Sequence, residues 1–345
     1  MITANSTKMF AEAGEASAVT LRQRAENAGL MADLAERLRR IDPQIIFTCA
    51  RGSSDHAATF AKYLFETRLG VPTISQAPSI SSIYGGGLLH MKGQPFILIS
   101  QSGKSPDLLI SAQAARKAGA LVIALVNDVE SPLAQLSEIV VPLHAGPEKS
   151  VAATKSYIAA LAAFAHLAGE WSGDLALQAA VSALPETLET AWSADWSAGV
   201  DLFAHAQNMF VLGRGLTLGV AQEAALKFKE TSGIHAEAFS IAEVAHGPMA
   251  LVKPGFPLLV FPPPDKATAG LDAIIGQSVG RGAKIAVAGR SFNGTTALPL
   301  QPGLHDVIAP IAMVQSFYTL VNSLSVVRGY DPDHPPMLNK VTETR

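Results

Sequence analysis

The feature that most restricts the fold is a set of short, uninterrupted apolar runs that occurs twice in the same order. In the first half they are QIIFTCA (44–50), PFILIS (95–100), ALVIALV (120–126) and EIVVPL (138–143). The second half has NMFVLG (208–213), FPLLVF (256–261) and AKIAVAG (283–289). Helix-length segments separate them. A strand exposed on one face alternates apolar and polar side chains, whereas a run that is apolar throughout suits a strand covered on both faces. Such strands belong to parallel sheets lying between helices. FTCARG at 47–52 aligns with FVLGRG at 210–215, PFILIS with FPLLVF or its neighbours, and GALVIAL at 119–125 with GAKIAVA at 282–288. Each pair is separated by about 162 residues. Three matches in one order at nearly constant spacing point to an internal duplication.

The expected fold class is therefore α/β: two doubly wound parallel-sheet lobes, each three-layer α/β/α and flavodoxin-like, related by that duplication. Along the chain this reads as an N-terminal helical segment (1–29), a first lobe (30–172), connecting helices (173–200), a second lobe (201–330) and a tail (331–345). The composition agrees, with 48% apolar and 16% charged residues over 345 positions, enough to bury a substantial core. A net charge of −3 without any Lys/Arg cluster argues against a nucleic-acid partner. Cys49 is the only cysteine, which excludes a disulfide framework and a cysteine-rich metal site and fits a reducing compartment. The N-terminus lacks the basic start and apolar core of a signal peptide. AALAAFAHLAG at 159–169 is too short to span a bilayer, carries His166, and reads as a core helix. The expectation is a cytoplasmic protein with no membrane partner.

The run PFILIS ends abruptly in SQSGKSP. Ligands of open α/β sheets sit beyond the carboxyl ends of strands, where helices begin. Ser100, Gln101 and Ser102 fall at such an end, Gly103 permits a tight turn, and Ser105 and Pro106 look like the cap and first position of the next helix. A second strand end, ARGSSDH at 50–56, presents Gly52, Ser53 and Ser54 before another helix. One such loop reads equally well as an ordinary capped turn; two on adjacent strands favour a bound phosphate. Neither GxxxxGK[ST] nor GxGxxG occurs, so the ligand expected is a small phosphorylated metabolite rather than a nucleotide. Where the first copy has SQSGKS the second has PPPDKA, which places one principal site on the first lobe.

In the second lobe Glu223, Lys227 and Glu230 share a helical face at i, i+4 and i+7. Their apolar neighbours suggest a partly buried cluster in which a carboxylate can be tuned for proton transfer. His246, in AEVAHGP, precedes a Gly-Pro turn and lies off any apolar repeat, so it reads as a functional histidine rather than a core one.

SQSGKSPD after an apolar strand, with GSS upstream and SVAATKSY downstream, resembles the sugar isomerase (SIS) domain. EAALKFKETSGIHAEAFSIAEVAHGPMAL at 223–251 and the closing DPDHPPMLNKVTETR closely resemble the isomerase half of glucosamine-6-phosphate synthase. The resemblance runs from about residue 8 to 345 and implies a tandem-SIS enzyme acting on hexose 6-phosphates and amino sugars. It implies substrate contacts from Gly52, Ser53, Ser54, Ser100, Gln101, Ser102, Ser105, the Val151–Thr154 segment with Val151 and Ala153, and Asn339. It also implies Glu230 as the base moving a proton between the first and second sugar carbons, supported by Glu223 and Lys227. His246 would open the sugar ring, reaching in from a neighbouring subunit of a homodimer, and Lys340 would form a Schiff base with open-chain ketose. No metal or redox cofactor is implied.

Three departures stand within the site: Ala153 replaces a family serine, Ser105 a threonine, and Lys104 an acidic residue. The synthase also begins with a glutaminase domain whose cysteine follows the initiator methionine, whereas residue 2 here is Ile. The expectation is thus a glutaminase-less, isomerising glucosamine-6-phosphate deaminase giving fructose 6-phosphate and ammonia. Galactosamine-6-phosphate deaminase, a fructosamine-6-phosphate deglycase and a non-catalytic phosphosugar-binding regulator are the alternatives.

Overall fold

The computed structural model describes residues 2–86, 91–338 and 340. In chain order the elements are α1 (Lys8–Gly14), α2 (Ala16–Ile41), β1 (Ile46–Cys49), α3 (Ser53–Arg68), β2 (Thr73–Ser75), α4 (Pro78–Ser82), β3 (Pro95–Ser100), α5 (Pro106–Lys117), β4 (Leu121–Val126), α6 (Pro132–Leu136), β5 (Ile139–Pro142), α7 (Lys155–Ser172), α8 (Leu175–Ser182), α9 (Leu184–Trp192), α10 (Ser197–Phe203), β6 (Asn208–Gly213), α11 (Leu218–Ser232), β7 (His235–Ser240), β8 (Pro257–Val260), α12 (Leu271–Gly280), β9 (Lys284–Ala288), β10 (Thr296–Leu298) and α13 (Ala309–Val327). The chain separates into two compact units. One comprises Ala18–Glu148 and Lys155–Ser182 together with Lys340; the other takes the stretch up to Ser17, Lys149–Thr154 and Ala183–Leu338.

The unit built on the first copy holds a five-stranded sheet in the order β2-β1-β3-β4-β5, every pairing parallel. β3 and β4 are buried at all six positions, as runs covered on both faces must be. On one face Phe96, Leu98, Val122 and Ala124 pack against Leu108, Ala112 and Ala115 of α5.

The unit built on the second copy holds the sheet β7-β6-β8-β9-β10, again wholly parallel. Matching β6 to β1 and following each chain onward reproduces the same 2-1-3-4-5 order. The aligned runs occupy equivalent strands: β1 with β6, β3 with β8, and β4 with β9. The duplication legible in the sequence is therefore a duplication of topology. α13 is long and apolar enough to cross a membrane by length and composition, yet most of it is buried within this unit. Its Phe317 lies against Phe228 and Phe261. α1 packs here as well. Thr7 donates to Asn322 Oδ1 at 2.7 Å, and the Asp333 carboxylate accepts the backbone N–H groups of Lys8 and Met9.

β2, β7 and β10 had no counterpart among the apolar runs. All three are edge strands. β7, HAEAFS, buries only one of its six residues, and β2 and β10 have three residues each. An edge strand pairs on one side only and keeps polar residues facing water, so continuous hydrophobicity is not required of it.

Candidate active site

In a 2-1-3-4-5 sheet the chain leaves β1 toward one side and returns beyond it at β3, so the crevice at the carboxyl ends of these two strands is where ligands bind. The serine-bearing loops lie at those ends. Gly52 caps α3 at φ +54°, and Ser53 and Ser54 are its first two residues. Ser105 occupies the cap position of α5 in extended conformation with Pro106 at the first turn, and its hydroxyl makes no capping bond. The first N–H groups of a helix have no intrahelical acceptor. Two helix starts thus bring donors and positive dipole ends to one crevice.

The loop after β3 is held in shape by its own serines. Ser100 Oγ accepts the Gly103 N–H at 3.0 Å and Ser102 Oγ the Lys104 N–H at 3.4 Å. A hydroxyl used as acceptor keeps its proton to donate. Gly103 has φ +63°, and a Cβ there would stand 2.2 Å from Ser131 Oγ, so only glycine fits the turn. Lys104 does not stand alone as an added positive charge; it pairs with Asp128 at 3.2 Å. The equivalent place in the second copy offers fewer donors. Pro262, Pro263 and Pro264 have no N–H to offer, and Thr217 Oγ1 donates to Phe261 O at 2.9 Å.

The unit built on the first copy also contains a residue with no signal in the sequence. Glu148 is buried, and its carboxylate accepts the N–H of Ser156 at 3.1 Å, the Ser156 hydroxyl at 2.7 Å and the Lys340 ammonium at 3.2 Å. Lys340 is therefore not a solvated tail lysine: its side chain is 25% exposed and ion-paired. Asn339, its neighbour, lies outside the described residues.

In the other unit α11 carries the acid–base cluster. Lys227 Nζ lies 3.1 Å from Glu223 Oε1 and 2.7 Å from Glu230 Oε2, and Tyr318 of α13 donates to Glu223 Oε1 at 3.2 Å. Glu223 and Lys227 are fully buried rather than partly so, while the Glu230 side chain is 21% exposed. Burial by itself would push the Lys227 ammonium down. The two carboxylates outweigh it and hold the group above the usual lysine range. Lys227 is thus a fixed cation with a buried counter-ion behind it and a reachable carboxylate in front. Tyr318 gave no sequence signal, being one of several hydroxyls in a largely apolar helix.

Val151 and Ala153 are half-buried, and Ala152 and Thr154 buried. Just ahead of them, the Glu12 carboxylate accepts the N–H groups of Lys149 at 2.5 Å and Ser150 at 3.1 Å. His246 is exposed in a stretch of 3-10 turns, and its imidazole makes no hydrogen bond among the described residues.

Two copies of one parallel sheet, the first with hydroxyl-rich strand ends and the second with a buried lysine–carboxylate cluster, define a tandem sugar-isomerase-type α/β protein. The SIS domain family matches residues 41–168 and again 202–328, and the chain belongs to that family. It is 34% identical to the glutamine–fructose-6-phosphate aminotransferase [isomerizing] of Thermococcus kodakarensis, over 91% of this chain and 54% of that protein. The chain spans about half the length of the curated relatives it matches. A crystal structure from Silicibacter pomeroyi, of a protein provisionally named a phosphosugar isomerase, matches 95% of this chain and 100% of its own at 40% identity and a TM-score of 0.88. The glucosamine-6-phosphate deaminase of Thermotoga maritima shares the fold, with a TM-score of 0.78 at 22% identity over 98% of this chain and 100% of its own.

Proposed function

We propose that the protein is a phosphosugar isomerase that deaminates an amino sugar phosphate, converting glucosamine 6-phosphate and water to fructose 6-phosphate and ammonia. The observation that carries this reading is the Glu230 carboxylate, anchored on one side by the buried Lys227 and reachable on the other. A general base needs such a combination of fixed position and access.

In this reading Ser54, Ser100, Gln101, Ser102 and Ser105, with the helix starts they flank, hold the phosphoryl group, and the Val151–Thr154 segment contacts the sugar. His246 of a second subunit protonates the ring oxygen as the ring opens, so the functional unit is a homodimer. Glu230 takes the proton from the second carbon of the open aldose, leaving an enolamine, and returns a proton to the first carbon. The second carbon is then a ketimine. Water adds to it and ammonia leaves, giving the ketose phosphate. Lys227 stays protonated throughout and offsets the charge change at Glu230. The buried Glu148 carboxylate fixes the Lys340 ammonium in place, and the lysine would have to give up its proton before it could add to a ketose carbonyl. The T. maritima deaminase supports the reading to the extent that the same fold accommodates this chemistry.

The decisive experiment is a coupled ammonia assay over glucosamine 6-phosphate, galactosamine 6-phosphate and fructosamine 6-phosphates. Release from the first supports the proposal. Release only from another reassigns the substrate, and tight binding without release points to a phosphosugar sensor. Glu230→Gln is expected to abolish ammonia release while leaving fructose 6-phosphate affinity nearly intact. Equal loss of both sinks the assigned role.

A further inference from the structure

A charged pair joins the two proposed phosphate loops. Arg51, immediately before the Gly52-Ser53-Ser54 turn, extends to the first turn of α5. There its Nε and Nη2 both donate to Asp107 Oδ2, at 2.9 and 2.8 Å. Asp107 is completely buried, and its other oxygen accepts the Leu108 N–H at 2.8 Å. The pair therefore ties the turn after β1 to the turn after β3, the two segments flanking the crevice. Arg51 itself is half exposed, and its Nη1 donates to nothing among the described residues.

A carboxylate in the first turn of a helix is well placed by itself, whereas a guanidinium there is opposed by the helix dipole. Asp107, and Asp55 in the first turn of α3, which also lies in the field of Arg51, together offset much of the charge of the guanidinium and the two helix starts. The unbonded Nη1 edge of Arg51 remains a positively charged donor beside these turns. Hydroxyls and N–H groups bind a neutral sugar oxygen and a phosphate oxygen by similar bonds, and a fixed guanidinium distinguishes them by charge. Lys104, the other cation on these loops, is committed to Asp128.

We propose that Arg51 is a specificity-determining residue for the phosphoryl group, presenting its unused guanidinium edge to the dianion, and that Asp107 is the positioning residue that holds it there. The proposal rests on the phosphate site described under Proposed function but not on the deamination step. Holding Nε and Nη2 on a buried carboxylate freezes the long side chain before ligand arrives, which lowers the entropy lost on binding.

The test is calorimetric titration of the full chain with fructose 6-phosphate and with inorganic phosphate. Arg51→Gln, which retains a donor for Asp107, is expected to weaken both by about 10- to 100-fold, the span for losing one charge-assisted hydrogen bond. Arg51→Lys keeps the charge but loses the fork and should fall in between. Asp107→Asn should weaken binding although Arg51 is present, and the double variant Arg51→Gln/Asp107→Asn should be no weaker than Arg51→Gln alone. Thermal melts verify that each variant is folded; if Asp107→Asn is not, the two Arg51 variants decide. Affinities for Arg51→Gln within twofold of the parent overturn the proposal, as does additivity in the double variant. A parent that binds neither probe overturns it together with the phosphate site. A parent that binds both but releases no ammonia removes the deaminase reading and leaves Arg51's role standing.

Discussion

Lys340 Nζ lies 3.2 Å from Glu148 Oε2, joining residues 192 positions apart. Glu148 has no exposed side-chain surface and also accepts two bonds from Ser156. Loss of its charge releases the lysine while a neutral amide keeps the shape. Glu148→Gln is expected to raise the rate of tryptic cleavage after Lys340 several-fold and to lower turnover at least tenfold, with the melting temperature changed by only a few degrees. Peptide mapping of the digest reads the first, the ammonia assay the second. An unchanged cleavage rate would show that the pair does not anchor the tail.

The Glu223–Lys227 pair is dry, so removing one partner strands the other. Lys227→Ala should cost about 3–5 kcal/mol of unfolding free energy, the usual result of leaving a buried charge alone. Lys227→Met with Glu223→Gln should recover most of that loss while remaining inactive. Urea denaturation of the three proteins measures it. Equal stability of the single and double variants would contradict a strong buried coupling.

His166 provides a pH effect. Burial, and then the charge of Arg24, push its imidazole down to about 4 from an ordinary value of 6.5. Because the folded-state pKa is depressed, the unfolded chain takes up the proton first as pH falls. The contribution of the neutral imidazole is complete above pH 6.5 and disappears between pH 6.5 and about 4. The loss amounts to about 3 kcal/mol when integrated over that window. His166→Gln should flatten this part of the stability–pH curve, as read by denaturant midpoints at intervals of half a pH unit. An unchanged slope would assign it to other groups.

The proposed homodimer makes a prediction that a monomer cannot satisfy. Glu230→Gln and His246→Ala should each be inactive alone. Mixed, dissociated and reassociated, they should regain up to about a quarter of parental activity, since half the molecules are heterodimers and each of these holds one intact site. No recovery, with exchange confirmed by a tag on one chain, would place the histidine and glutamate in the same subunit.

The sequence by itself determined the architecture. PFILIS and ALVIALV had to be interior parallel strands because nothing in them tolerates water, and the ordered recurrence of such runs fixed two sheets of equal topology. The edge strands β2, β7 and β10 escaped because they satisfy only one neighbour and need no apolar pattern. Helix spacing also brought Glu223, Lys227 and Glu230 onto one face, since that geometry is local. What the tertiary structure alone decided was who completes each charge: Tyr318 for Glu223, Glu148 for Lys340 and Asp107 for Arg51, across sequence separations of 95, 192 and 56 residues. Periodicity is blind to such pairings. A buried polar group takes whichever donor or acceptor the folded backbone brings within about 3 Å, and the sequence near it carries no record of that partner.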